Sequence, residues 1–173
     1  MIDPGEMSDA TIRRAGPADE PALVDLAVEY LSWAIDRLRD EYGVEWPPLD
    51  IDEVRSGWEQ FRASGIAIVA EVDGVAIGMG AVRLLDDGAA EIKRMYVRPQ
   101  LRGQRLGSRI LDRLLNEAGS LGADVVRLDT IRFMAEAQRL YRSRGFAERP
   151  PYEGTEIPVP LQQYWLFFER SLD

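Results

Sequence analysis

The chain of 173 residues contains no cysteine and no histidine, and its one lysine is Lys93. These absences exclude disulfides, thiolate nucleophiles, zinc sites built from Cys or His, and every His-based catalytic triad. Any proton transfer must therefore use carboxylates, tyrosine, Lys93 or water. The lack of cysteine fits a cytoplasmic protein, which is the location that we expect.

Long apolar runs are also missing, and no run approaches the length that spans a membrane. The N-terminal stretch has no apolar segment behind a basic end, so we expect no secretory signal and no membrane partner. A chain of this length normally forms one domain with a real core. We predict a flexible acidic tail over residues 1–10 and a single domain over residues 11–173.

Charge is unevenly distributed along the chain. The net charge of -9 disfavours a general nucleic-acid binder, yet residues 94–113 hold six arginines and one acid, a local charge of +5. Four of these arginines follow at helical spacing, so their charges are expected along one ridge: Arg102, Arg105, Arg109 and Arg113. One interpretation is a phosphate site, and the other is a solvated helix face. Because the arginines begin where the helix begins, we favour the phosphate site.

Hydrophobic periodicity and turn residues predict the order of elements. Strands are expected over 11–15, 66–72, 75–84, 90–97, 125–130, 146–148 and 163–169. Helices are expected over 17–30, 31–42, 51–63, 103–121 and 134–144. Asp73-Gly74 predicts a hairpin turn, and Gly78 and Gly80 indicate a bulge or a close backbone approach. The pattern favours a mixed sheet with helices on both faces, in the α/β (α+β) class.

Residues 96–107, YVRPQLRGQRLG, combine a strand end, a glycine-bearing loop and the first turn of a helix. Backbone N–H groups and the positive end of the helix dipole would converge there, which suits an anionic phosphate. Gly103 and Gly107 leave room for such a group to approach the backbone. The segment lacks the GK[ST] sequence of a P-loop and is not GxGxxG.

The segment 91–146 resembles the GNAT superfamily of acyl-CoA-dependent N-acyltransferases. The family motif is Gln or Arg, two residues, Gly, one residue, then Gly or Ala; Arg102 matches its first position and Gly107 its last. Arg105 stands where the middle glycine is usual. A second landmark, Leu-Tyr followed by Gly-Phe, is present as Leu140-Tyr141 and Gly145-Phe146. Met134 replaces an asparagine that is often found seven residues before this tyrosine.

The resemblance implies a mostly antiparallel sheet with one splayed parallel strand pair that holds acetyl-CoA, and no metal. Backbone groups of Met95, Tyr96 and Val97 would pair with the pantetheine arm. A main-chain N–H near Met95 or Tyr96 would polarise the thioester carbonyl. Backbone N–H groups of the loop and the first helical turn would hold the pyrophosphate: Arg102, Gly103, Gln104, Arg105, Leu106, Gly107 and Ser108.

Two catalytic roles follow from the same resemblance. Tyr141 is the candidate general acid for the leaving thiolate, and the alternative is a tyrosine of the core. Glu91 is the candidate base, since an amine must lose a proton before it attacks. The alternative is a strand glutamate that pairs with Lys93 or Arg94. Five aromatic residues could border the acceptor pocket, although most should belong to the core: Tyr30, Trp33, Trp46, Trp58 and Tyr152.

Three functions remain open on the sequence. The first is an N-acetyltransferase acting on a primary amine of a small molecule or peptide, by direct attack through a tetrahedral intermediate. The second is a non-catalytic module that binds and senses acyl-CoA, and the third is a nucleotide-phosphate binder. The acidic remainder of the surface is compatible with a cationic acceptor. An edge strand near 163–169 would allow a homodimer.

Overall fold

The computed structural model describes residues 10–102 and 105–172, so most of the predicted N-terminal tail lies outside the described residues. A seven-stranded mixed sheet runs in the order β1-β2-β3-β4-β5-β7-β6. Its strands are β1 Thr11–Arg14, β2 Gly65–Val72, β3 Val75–Leu84, β4 Ala90–Val97, β5 Val125–Ile131, β6 Ala147–Arg149 and β7 Trp165–Ser171. The helices are α1 Glu20–Tyr42, α2 Ile51–Ser64, α3 Leu106–Ser120 and α4 Ala135–Ser143. The predicted fold class is confirmed.

The helices cover both faces of the sheet. Buried residues of α1 and α2 pack with β2, β3 and Tyr96 of β4 on one face. Buried residues of α3, together with Tyr141 of α4, pack with a second set of strand residues on the other face. Within the described ranges, no helix is both long and apolar enough to cross a membrane.

One helix, α1, replaces the two that we predicted over residues 17–42. Its buried side continues without a break through Leu26, Ala27, Ala34 and Leu38. After Pro21 in its first turn, no glycine or proline interrupts the helix before Gly43, where φ is 64° and the helix ends. The predicted boundary at residue 30 was therefore wrong, because the apolar side of α1 continues past this residue.

The hairpin between β2 and β3 turns at Asp73-Gly74, as predicted, with φ values of 49° and 76°. A bulge follows in the pairing of β3 with β4. Ala81 faces Lys93 and Met79 faces Tyr96, so two residues of β4, Arg94 and Met95, stand opposite Gly80 alone.

The parallel pair β4–β5 separates soon after it begins. Cα partners extend only from Ala90↔Val126 to Ile92↔Leu128. Beyond that point β5 remains paired with β7 as far as Ile131↔Trp165. In the described part of the chain, the side of β4 that faces β5 consequently has no strand partner from Lys93 to Val97.

The last strand is not at an edge. β7 lies between β5 and β6, and the edge strands are β1 and β6. The expected edge near 163–169 was therefore wrong, and it gives no ground for a homodimer. Leu166, Phe167 and Phe168 are consecutive and all buried, which is typical of a strand covered on both faces.

Gly80 lets α3 approach the sheet closely. A Cβ atom at this position would lie 2.7 Å from Cδ1 of Leu114, a fully buried residue of α3. The predicted buried stripe of α3 is confirmed, and its members are Leu106, Ile110, Leu111, Leu114 and Ala118. The contact fixes α3, and with it the position of the loop before the helix.

Gly80→Ala should lower the free energy of unfolding by about 1–3 kcal/mol, because the new methyl overpacks the contact with Leu114. Gly119→Ala is the matched control: it lies on the exposed side of α3, with Leu172 at 4.0 Å from the new Cβ, and should stabilise by about 0.5–1 kcal/mol. Urea denaturation measures both. Equal stability of the two variants would contradict the proposed close packing.

Candidate active site

A groove of about 670 Å³ runs along the free side of β4 and past the start of α3. Tyr30 and Trp33 of α1 and Leu140 of α4 contribute to its walls. Most of the predicted cofactor-binding residues line it together: Met95, Tyr96, Val97, Arg102, Arg105, Leu106, Gly107 and Ser108. The other two, Gly103 and Gln104, lie outside the described residues.

The N-terminus of α3 opens into this groove. Arg105 at the N-cap has left-handed backbone angles, with φ of 61°, and its side chain makes no capping hydrogen bond. Leu106 is buried and anchors the first turn in the core. The N–H groups of residues 106–108 have no acceptor within the helix, and the helix dipole adds positive potential at the same place. This end of the groove is therefore suited to an anion.

The predicted arginine ridge divides into two parts. Arg109 donates to the carbonyl of Ala10 at 2.6 Å, and Arg113 bonds Glu117 of its own helix at 2.8 Å. Neither lines the groove. Arg102 does line it, with its Nε 3.2 Å from the carbonyl of Val97 and its guanidinium 5.6 Å from the centre of the Trp33 ring. The expectation of one ridge beside the phosphate site was thus wrong beyond Arg105, because α3 turns its later arginines towards β1 and its own surface.

A second cavity, of about 460 Å³, adjoins the groove where β4 and β5 separate. The two spaces share Tyr30, Met95, Met134 and Ala137 as lining residues. Most of its wall is apolar, including Leu31, Leu38, Trp46, Val54, Ile131, Leu161 and Trp165. Six residues supply charged groups: Asp50, Glu53, Lys93, Arg94, Asp129 and Glu156.

Tyr141 lies in α4 and lines the second cavity. The residue is only 6% exposed, and its ring packs against Phe146 and Phe168 at centroid distances of 6.0 and 6.1 Å. In the described residues its hydroxyl makes no hydrogen bond. Burial, with smaller contributions from Tyr30 and Asp129, raises the pKa of Tyr141 well above its ordinary value. The phenol is therefore protonated at neutral pH and available as a proton donor.

Glu91 is enclosed beneath the cavity rather than exposed in it. The residue has 0% exposure and is absent from the cavity wall. Its Oε2 accepts from Nη2 of Arg83 at 2.8 Å, and its Oε1 accepts from the hydroxyl of Tyr152 at 2.8 Å. Lys93 stands farther off, with Nζ 3.6 Å from Oε1. Both oxygens are thus occupied, and direct contact with an acceptor is blocked.

Asp129 of β5 lines the cavity, as do Asp50, Glu53 and Glu156, and it was not predicted from the sequence. Its Oδ2 lies 2.7 Å from Nζ of Lys93 and 3.4 Å from the hydroxyl of Tyr152, a residue that also bonds Glu91. Burial lowers the pKa of Lys93, but its pairing with Asp129 and Glu91 outweighs this and raises that pKa overall. Lys93 therefore stays charged. The available signal was a single acid within the apolar strand VVRLDTI.

The five aromatic residues predicted near the acceptor pocket lie in different places, some in the cavity walls and others in the core. Tyr30 and Trp46 line the second cavity, and Trp33 lines the groove. Trp58 has 0% exposure and packs against Phe61 in the core. Tyr152 is 3% exposed and anchors Glu91 through its hydroxyl.

Tyr152→Phe should lower the free energy of unfolding by about 1–3 kcal/mol, because one oxygen of the buried Glu91 loses its hydrogen-bond donor. Tyr42→Phe is the control, since in the described residues the Tyr42 hydroxyl makes no hydrogen bond. Chemical denaturation of both variants measures the difference. A Tyr152→Phe protein as stable as the control would show that the hydroxyl does not support Glu91.

Solved structures share this fold. An acetyltransferase from Streptococcus agalactiae superposes with a TM-score of 0.74 at 18% identity, covering 94% of this chain and 98% of that one. The PaiA N-acetyltransferase from Thermoplasma acidophilum, in complex with coenzyme A, gives a TM-score of 0.70 at 16% identity, covering 95% and 99%. These structures therefore have the same fold as this chain.

Proteins related in sequence show which family the chain belongs to. An IAA acetyltransferase from Azospirillum brasilense is 35% identical over 96% of this chain and 100% of its own length. An uncharacterized N-acetyltransferase from Schizosaccharomyces pombe is 31% identical over 91% of this chain and 93% of its own. The model of the Acetyltransferase (GNAT) family matches residues 32–146. The chain belongs to the GNAT acetyltransferase family, and the resemblance noted in the sequence is confirmed.

Proposed function

We propose that the protein transfers an acetyl group from acetyl-CoA to a primary amine of a small molecule or peptide. The observation that carries this proposal is the junction of the two cavities at the separated strands, beside Tyr141. A donor and an acceptor in the two spaces would meet there, and holding two reactants in register supplies much of the rate enhancement in such reactions.

The groove accommodates the donor in this proposal. The diphosphate would accept hydrogen bonds from the open N–H groups at the start of α3, with Arg102 and Arg105 nearby. The pantetheine arm would lie along Met95, Tyr96 and Val97 as an added strand, since this side of β4 has no strand partner in the described residues. The complex of the Thermoplasma relative with coenzyme A supports such a co-substrate.

The bulge at Arg94 and Met95 supports an oxyanion site. A main-chain N–H of Met95 or Tyr96 would donate to the thioester oxygen as charge develops on it. The amine nitrogen attacks the carbonyl carbon, and a tetrahedral intermediate forms. When the C–S bond breaks, Tyr141 gives its phenolic proton to the sulfur. The nitrogen loses a proton as the amide forms, which balances the proton delivered to the thiol.

Asp129 is the carboxylate that we propose to receive the proton of the amine. It lines the acceptor cavity, whereas Glu91 has no exposed surface. Glu91, the base predicted from the sequence, would then act indirectly: it holds Tyr152, whose hydroxyl lies 3.4 Å from Asp129. Lys93, whose Nζ lies 2.7 Å from Oδ2 of Asp129, holds this carboxylate in place.

Tyr141→Phe should lower turnover about 100-fold or more, because the leaving thiolate loses its proton donor, while coenzyme A affinity stays unchanged. The thiol released from acetyl-CoA, with a panel of amines as acceptors, measures turnover, and calorimetry measures affinity. The protein contains no cysteine, so a thiol-reactive dye reports only the product. Tyr42→Phe serves as the control.

Two results would contradict this proposal. Undiminished turnover of Tyr141→Phe would remove the tyrosine from the mechanism. Coenzyme A binding without thiol release from any amine would instead favour the non-catalytic acyl-CoA sensor. Stabilisation against heat by ATP and not by coenzyme A would favour the nucleotide-phosphate binder.

Asp129→Asn and Glu91→Gln should separate the two carboxylate roles. Asp129→Asn should lower kcat about 100-fold or more, because the group facing the amine can no longer accept a proton. Glu91→Gln should chiefly lower stability, because the half-buried Arg83 loses one of its two charged partners. Initial rates and melting curves of both variants measure these effects. An inactive but stable Glu91→Gln protein, beside an active Asp129→Asn protein, would restore Glu91 as the base.

A further inference from the structure

Arg94 occupies an unusual backbone position in β4. Its φ is 54°, in the left-handed region that residues with a side chain rarely adopt. The bulge opposite Gly80 places it there. Such strain persists only where the surrounding structure holds it, and it concentrates at functional sites.

The guanidinium of Arg94 lies in a slot formed by α2. Its carbon is 5.2 Å from the centre of the Trp58 ring and 5.5 Å from that of Phe61. A Cβ atom at Gly57 would come within 2.5 Å of Nη2, so a larger residue there would displace the end of the Arg94 side chain. Two aromatic faces and a glycine hold the guanidinium in one place.

The ion pairing of Arg94 is incomplete. Nη1 is buried, and no atom of the described residues accepts a hydrogen bond from it. The neighbouring cations are paired: Arg83 with Glu91 at 2.8 Å and Lys93 with Asp129 at 2.7 Å. In the described ranges no carboxylate oxygen lies within 4.0 Å of Arg94. The charge of Glu156 favours the guanidinium from a longer distance. A buried donor of this kind normally has a hydrogen-bond partner, so Nη1 is open to an acceptor atom of a ligand.

Arg94 also stands where an acceptor would enter. It lines the second cavity and, at the same time, a polar cleft of about 490 Å³ beside it. The two spaces share Asp50, Glu53, Arg94 and Glu156 as lining residues. Arg94 is the one cation among these four and the other three are acids, so an acceptor that carries both an ammonium and a carboxylate group would find a partner for each.

We propose that Arg94 binds the carboxylate of the acceptor, so that the substrate is an α-amino acid with an apolar side chain. This inference rests on the proposed N-acetyl transfer. The amino group would face Asp129, the carboxylate would satisfy Nη1 of Arg94, and the side chain would pack on apolar wall residues such as Leu38 and Trp165. The acceptor in this proposal is zwitterionic, whereas the surface charge alone had suggested a cationic one.

The test compares three acceptors that share one side chain: L-leucine, L-leucinamide and isoamylamine. Thiol release from acetyl-CoA should give wild type a kcat/KM for leucine about 100-fold or more above that for isoamylamine, because a site built for a polar group strongly rejects the analogue that lacks it. Leucinamide should resemble isoamylamine, since it has no negative charge. This comparison needs no variant.

Arg94→Gln should reduce the ratio of kcat/KM for leucine to kcat/KM for isoamylamine to about fivefold or less, mostly through a higher KM for leucine. The ionic contact is lost, while the glutamine side chain still fills part of the space of the arginine's aliphatic chain. Arg94→Lys, which retains a cation, should keep part of the preference. Arg139→Gln is the matched control: it removes an arginine from the exposed side of α4 and should keep the wild-type preference. Melting curves confirm that each variant is folded.

Equal wild-type rates with leucine and isoamylamine would overturn the inference, as would a full preference in a folded Arg94→Gln protein. Both results leave the acetyltransferase proposal intact, because thiol is still released. Thiol release from none of the amines, despite coenzyme A binding in calorimetry, would contradict the proposed function and the inference with it.

Discussion

The separation of β4 from β5 is the constraint on which the site depends. β5 remains bonded to β7, while β4 bulges at Arg94 and Met95 and follows β3. The two strands therefore cannot stay paired beyond Ile92 and Leu128. One divergence opens the groove, leaves one side of β4 without a strand partner in the described residues, and gives room for the second cavity, which Tyr141 lines. Gly80 permits it, because α3 packs directly over the bulged region.

Charge is concentrated beneath this opening. Glu91, Lys93 and Asp129 lie on neighbouring strands, and Arg83 and Tyr152 complete their hydrogen bonds. Ionised groups are costly to bury unless they are paired. Apart from Arg94, the buried charged groups of this network have partners in the described structure. A site that moves protons would benefit from such an arrangement, since the partners hold each group in one orientation.

Local features of the fold could be predicted from the sequence. The bounds of β3 and β4, the Asp73-Gly74 turn and the buried stripe of α3 follow from alternation, turn chemistry and helical period. The features of the site that could not be predicted from the sequence depend on contacts between distant segments. The enclosure of Glu91 requires Tyr152, 61 residues away, and the place of Asp129 depends on the register of a parallel pair. The interior position of β7 is indicated locally by its four consecutive apolar residues, Trp165 to Phe168, all of which are buried, but these residues do not show which strands lie beside it.

The most direct test is a crystal structure of the protein grown with coenzyme A, preceded by calorimetric titration of the same sample. The account predicts heat of binding, the diphosphate against the first turn of α3, the pantetheine arm along Met95 to Val97, and the sulfur near the Tyr141 hydroxyl. A ligand bound elsewhere, or no heat at millimolar coenzyme A, would contradict it.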